Sequence, residues 1–138
     1  MTISIASPEI GIAELSNLVN TVEGGQLADA PRVRSFESAF AEFCERRHGV
    51  ATSNGTTALH AALHGLGIGA SDTVVTTPFS FVATANAIRL CGAEPAFADI
   101  DPATFNLDPE SVRATIEARD GDVDAIVADG RKLAPTGS

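Results

Sequence analysis

The sequence predicts an α/β protein, and three observations carry that expectation. From Pro31 onward, runs with a helical period alternate with short β-prone runs, the connections between them are brief, and glycine or proline stands at most changes of period. Strands linked through helical crossovers pair in parallel.

The first thirty residues read as an arm: Pro8-Glu9-Ile10-Gly11, a weak helix near Ile12 to Val22, then the flexible Gly24-Gly25. A helix starts at Pro31, where a first turn tolerates proline, and Val33, Phe36, Phe40, Phe43 and Cys44 recur at helical spacing up to Arg47. This stripe is expected to be core. Gly49 to Ser53 reads as a first short strand. Asn54-Gly55 then turns the chain into a helix from Thr56 to Gly65, with Leu59, Ala62, Leu63 and Leu66 on its buried side and Gly67 and Gly69 at its end.

Thr73 to Thr77 is the next strand, and Pro78 stops it ahead of a helix from Phe81 to Cys91, with Gly92 just past its end. Pro95 to Asp99 is a third strand and Asp101-Pro102 a turn. Asp108-Pro109-Glu110 offers an N-cap, a proline at the first helical position and an acidic first turn for a helix to Ala118. Val123 to Ala128 completes a fourth strand. The expected organisation is an arm over 1–30, an α/β domain over 31–128 and a polar, turn-rich tail over 129–138.

Hydrophobic residues make up 44% of the 138 and charged residues 20%, which places the chain among folded globular proteins rather than disordered ones. The formal charge of −9 is scattered, and without a basic block to neutralise a phosphate backbone, nucleic acid is excluded as a partner. Met1 to Asn20 lacks a basic leader, and no apolar run approaches the length that spans a bilayer. A cytoplasmic protein without membrane contact is expected. Cys44 and Cys91 lack CxxC spacing and fall among apolar residues, so both are expected to be reduced and buried.

The chemistry-bearing segment is Ser53-Asn54-Gly55-Thr56-Thr57-Ala58-Leu59. A strand end running straight into a helix aims several backbone N–H groups at one spot, where the helix dipole adds partial positive charge. Glycine lets the backbone approach an anion, and the Thr56 and Thr57 hydroxyls can donate as well, so a phosphate could be held without lysine or arginine. A bland alternative stands beside this: a polar residue capping its own helix. The segment has neither the GxxxxGK[ST] spacing of a P-loop nor the GxGxxG of a dinucleotide fold.

Phe79 and Phe81 follow a strand end, which puts an aromatic ring at the carboxyl edge of a parallel sheet, where α/β proteins bind ligands. The competing reading is that both are core. His60 and His64 are spaced i, i+4, but the glutamate of HExxH is absent and no third ligand lies nearby in sequence. They read as a helix face or a dimer contact, with no metal site. His48 reads as the end of a helix, where a protonated imidazole is mildly favoured.

In order along the chain, Pro8 to Gly11, Gly25 to Glu37, Ser53 to Leu59, Pro78 to Asn86, Cys91-Gly92-Ala93, Phe97 to Pro102 and Thr104 to Asp108 resemble the DegT/DnrJ/StrS family of pyridoxal-phosphate-dependent sugar aminotransferases. The resemblance implies part of the large domain of a fold type I pyridoxal-phosphate transferase. By it, Gly55 and Thr56 correspond to the turn that binds the cofactor phosphate, Asn54 is adjacent, and Phe81 is the aromatic that stacks on the pyridine ring. Asp99 and Asp101 match a family motif too and are assigned a structural turn. Ala30 stands where the family usually has glycine. The implied partners are a nucleotide-linked keto-sugar and a second subunit, either a homodimer mate or an intact relative.

The resemblance ends after Val127. The only lysine is Lys132, in a context that fits no Schiff-base motif, and the expected chain is an N-terminal part that does not turn over alone. Two alternatives stay open: a non-enzymatic module that keeps the anion-binding turn, and part of a related sugar dehydratase.

Overall fold

The computed structural model describes residues 7–25, 27 and 31–128. The chain divides between Ala51 and Thr52 into two compact units.

Among the described residues the first unit holds two helices, α1 (Ile12–Glu23) and α2 (Pro31–Phe43). The Phe36, Phe40 and Phe43 stripe of α2, expected as core, is exposed at 57%, 53% and 84%, and only Ala41 is buried. Cys44 is likewise exposed, against expectation. Helical periodicity finds the apolar face but says nothing of what covers it, and among the described residues no sheet lies in this unit. α2 also stops four residues short of Arg47. Glu45 takes the left-handed conformation (φ 54°), the Glu45 amide donates to the Glu42 carbonyl at 2.9 Å, and the Arg46 amide donates to the Ala41 carbonyl at 2.7 Å. These two bonds close the helix end in the pattern usually built on glycine. His48 therefore lies beyond the helix rather than at its last turn.

Gly49 to Ser53, expected as a strand, has no ladder. Its Ala51 amide donates to the Glu37 Oε1 carboxylate at 2.8 Å instead, which satisfies the backbone by a side chain.

The second unit is a three-stranded parallel sheet of order β2-β1-β3, with β1 (Thr73–Thr76) central, β2 (Glu94–Phe97) and β3 (Ala125–Ile126) on its flanks, and α3 (Gly55–Gly65), α4 (Ala83–Leu90) and α5 (Pro109–Glu117) packed around it. Val74 lies opposite Pro95 and Ala125, and Val75 opposite Ala96 and Ile126. Alternation sends these two valines to opposite faces. Val74 joins Leu63, Ile68, Ala87, Ile88 and Ala93 under α3 and α4. Val75 joins Ala96 and Ala98, against Leu107, Val112 and Val123 at the α5 face. Both clusters are fully apolar, and Val74, Val75, Ala87 and Ile88 have no exposed surface.

The helix ends follow the expected chemistry. Asp108 caps α5 by accepting from the Glu110 amide at 3.1 Å, with Pro109 at the first helical position. Leu66 and Ala62, expected on the buried side of α3, are exposed because Leu63 and the half-buried Leu59 alone reach the cluster. Cys91 is half-buried, its Sγ 3.8 Å from the His60 carbonyl. Among the described residues, no helix is long and apolar enough to cross a membrane.

Candidate functional site

Asn54 is the N-cap of α3, with extended backbone (φ −168°, ψ 170°). Its Oδ1 accepts from the Thr57 amide at 2.9 Å and the Thr57 hydroxyl at 3.1 Å, while its carbonyl accepts from the Ala58 amide at 3.0 Å. The Ala58 bond is the first of the helical ladder, and the side chain satisfies one orphan donor at the helix start, the Thr57 amide. The Gly55 and Thr56 amides have no acceptor among the described residues. The capping reading of the turn holds, and it does not use up the turn: the side chain takes the Thr57 amide and leaves the Gly55 and Thr56 amides at the positive end of the dipole.

Gly55 is not explained by the fold itself. Its φ lies outside the left-handed region, and a Cβ built there meets nothing within 4 Å. The missing side chain leaves open space at the turn that carries the two unpaired amides, and close approach of a ligand to backbone needs such space.

At the carboxyl end of β1 the chain turns as the Phe79 amide donates to the Thr77 hydroxyl at 3.0 Å, and the Ser80 and Thr84 hydroxyls meet at 3.3 Å across the start of α4. Phe81 leaves this turn 78% exposed and Phe79 63% exposed, so the core reading fails for both. A phenyl ring held in solvent forgoes burial worth about 1.5–3 kcal/mol.

Asn54, Gly55, Thr56 and Phe81 line one pocket of about 580 Å³, together with Ser80 and Thr84. Two elements with no sequence continuity, the start of α3 and the loop after β1, thus bring the four expected residues together. Among the described residues no charged side chain lines the pocket, and the donors they offer an anion are neutral groups and the helix dipole. On its other side Phe81 lines a smaller pocket of about 210 Å³ with Thr77, Val82 and Phe97.

Sequence reasoning missed Phe105. Its ring stacks on Phe79 with centroids 5.9 Å apart and planes at 26°, and its backbone is left-handed (φ 59°), which is uncommon for a bulky residue. Asp101 holds that turn. Its Oδ1 accepts from the Ala103 amide at 2.7 Å and the Thr104 amide at 2.9 Å, and its carbonyl accepts from the Phe105 amide at 2.8 Å. The Thr104 and Ala103 amides hold the Asp101 carboxyl below the ordinary aspartate value of 3.8. Asp99 Oδ1 accepts from the Ile100 amide at 2.8 Å, so both aspartates act in the loop, as expected. The only sequence signal for Phe105 was its place within the Thr104 to Asp108 block.

The His60 and His64 rings lie 6.4 Å apart, and among the described residues no group of three metal-ligating side chains is assembled. Ala30, Lys132 and the tail 129–138 lie outside the described residues.

The sequence profile of the DegT/DnrJ/EryC1/StrS aminotransferase family matches residues 8–128. The chain belongs to this family. It is 44% identical over 112 residues to the spore coat polysaccharide biosynthesis protein SpsC of Bacillus subtilis, covering 81% of this chain and 29% of that protein. It is 39% identical over 118 residues to GDP-perosamine synthase of Caulobacter vibrioides, covering 85% of this chain and 32% of that one. The structure of NtdA from Bacillus subtilis with bound cofactor PMP superposes with a TM-score of 0.77 at 30% identity, over 86% of this chain and 28% of that one. Members of the family use pyridoxal phosphate, held in NtdA in its pyridoxamine form. The chain spans about a third of the length of these relatives.

Proposed function

We propose that this chain is the cofactor-cradling N-terminal part of a pyridoxal-phosphate-dependent aminotransferase whose substrate is a nucleotide-linked keto-sugar and whose amino donor is glutamate or glutamine. The observation that carries this reading is the single pocket shared by the unpaired Gly55 and Thr56 amides and the solvent-held ring of Phe81. The amides and the Thr56 hydroxyl would take the cofactor's phosphate, Asn54 would fix the turn that presents them, and Phe81 would stack on the pyridine ring. Relatives that act on nucleotide sugars, GDP-perosamine synthase among them, support the substrate class.

When bound, the cofactor supplies an electron sink that eases proton removal next to an amine. This chain's residues contribute binding and orientation. The amine that holds the cofactor covalently is assigned to the two-thirds of the relatives' length that this chain does not span, because Lys132 is its only lysine. The same reading takes the protein as cytoplasmic and pairs it with a second subunit.

Equilibrium dialysis of pyridoxal phosphate against the full chain tests the proposal. Binding should be displaced by inorganic phosphate, weakened about three- to tenfold by Phe81→Ala, and abolished by Gly55→Val, whose side chain would fill the space before the amides. Binding that ignores both substitutions overturns the assignment. Borohydride trapping of the cofactor on Lys132, with transamination of a keto-sugar, would overturn the division of labour.

A further inference from the structure

We propose a second anion site, in the first unit, formed by one face of α2 from Arg34 to Glu42 and the loop that follows the helix, and suited to a small molecule bearing a diphosphate. A pocket of about 450 Å³ there is lined by Arg34, Ser38, Arg46, Arg47 and His48, with Glu37 and Glu42 also on its wall. Three of the nine lysines and arginines of a chain carrying −9 converge on this one concavity. Scattered charge does not produce that arrangement, and arginine is the side chain whose planar fork matches phosphate oxygens two at a time.

The loop that carries the arginines is built rather than loose. At its start the left-handed Glu45 reverses the chain and the Arg46 amide bonds to Ala41, the buried residue on the pocket wall. At its far end Gly49 presses on α2 so closely that a Cβ would lie 2.6 Å from the Glu37 carbonyl oxygen, and the Ala51 amide bonds to the Glu37 carboxylate at 2.8 Å. Arg46, Arg47 and His48 are thus suspended between two fixed points. Among the described residues neither Arg46 nor Arg47 forms an ion pair, although Glu42 shares the pocket. The bland role for these cations, complementing the negative end of the helix dipole, calls for about half a unit of charge. The Arg46 and Arg47 guanidinium groups alone exceed it.

The volume sets the ligand class. A pocket of this size lies within the range of small-molecule sites and exceeds what one phosphate fills. Glu37 and Glu42 both oppose an anion there; Glu37 is tied to the Ala51 amide, which fixes its carboxylate without neutralising it, and the three arginines outnumber the two carboxylates.

The test titrates sodium pyrophosphate, and separately inorganic phosphate, into the full chain while arginine side-chain and backbone amide resonances are followed by NMR. Pyrophosphate should shift the Arg46 and Arg47 signals and bind at least tenfold more tightly than phosphate. Arg46→Gln with Arg47→Gln should weaken it at least tenfold. Glu42→Gln should tighten it severalfold, a gain that misfolding would not give. Phe81→Ala should leave it unchanged, separating this site from the pocket at the start of α3. Shifts confined to Gly55 and Thr56, affinity unchanged in the double arginine variant, or equal affinity for phosphate and pyrophosphate would overturn the proposal.

Discussion

Replacing Asn54 separates two functions that the α3 turn joins. Asn54→Ala removes the acceptor for the Thr57 amide and hydroxyl, and the loss of such a cap costs about 1 kcal/mol, within a range of roughly 0.5–2. For a domain of this size that lowers the melting midpoint by roughly 4–8 °C. Asn54→Asp keeps an oxygen in the same place and adds negative charge at the helix start, so stability should hold or rise by a few tenths of a kcal/mol. The same charge would face any anion at the Gly55 and Thr56 amides. Two unit charges about 4 Å apart repel by about 1 kcal/mol in water and about 4 at the effective dielectric of a protein surface, which corresponds to roughly a fivefold or greater loss of affinity. Thermal melts followed by circular dichroism, paired with dialysis of inorganic phosphate, read the two effects separately. Aspartate that melts as early as alanine, or that leaves phosphate affinity untouched, refutes the capping geometry or the anion site respectively.

Ile88→Ala should cost about 2–5 kcal/mol in urea unfolding, because a side chain with no exposed surface leaves a cavity between α4 and the sheet; a loss under 1 kcal/mol would mean that this core is not packed as described. Gly49→Ala should break the clamp between the loop and α2, seen as faster hydrogen exchange at Ala51, since a Cβ has only 2.6 Å to the Glu37 carbonyl oxygen. Asp101 has a folded pKa below 3.8, so its contribution to the turn is full above that value and is lost as pH falls through the lowered one. NMR titration of the Thr104 and Ala103 amides should show a transition with its midpoint below 3.8, and Asp101→Asn should remove that transition.

Residues whose role is local were legible in the sequence. Asn54 and Asp108 cap helices because a short polar side chain reaches its own amides, and Pro109 sits at a helix start because it has no amide to lose. The meeting of Gly55 and Thr56 with Phe81 was legible only through the resemblance, since no spacing rule joins the start of one helix to the loop before another. Where the outcome depended on distant partners, pattern reading failed. The α2 stripe has helical period yet stays exposed, Gly49 to Ser53 has strand composition yet no neighbour to pair with, and β3 pairs over two residues where six were expected. Phe105 was invisible for a related reason: its ring direction follows from a left-handed backbone that Asp101 imposes from four residues away.

The central strand comes first in the sequence, and the Thr73 amide and Thr76 hydroxyl each bond to a residue 51 positions downstream. On a ribosome adding about 5–20 residues per second, one flank of the valine pair therefore waits roughly 3–10 s for its mate to be made. During that interval an uncapped hydrophobic ribbon is available to chaperones, or to the same ribbon on a neighbouring nascent chain. Synthesis rate, as well as final stability, then bears on the yield of properly folded molecules.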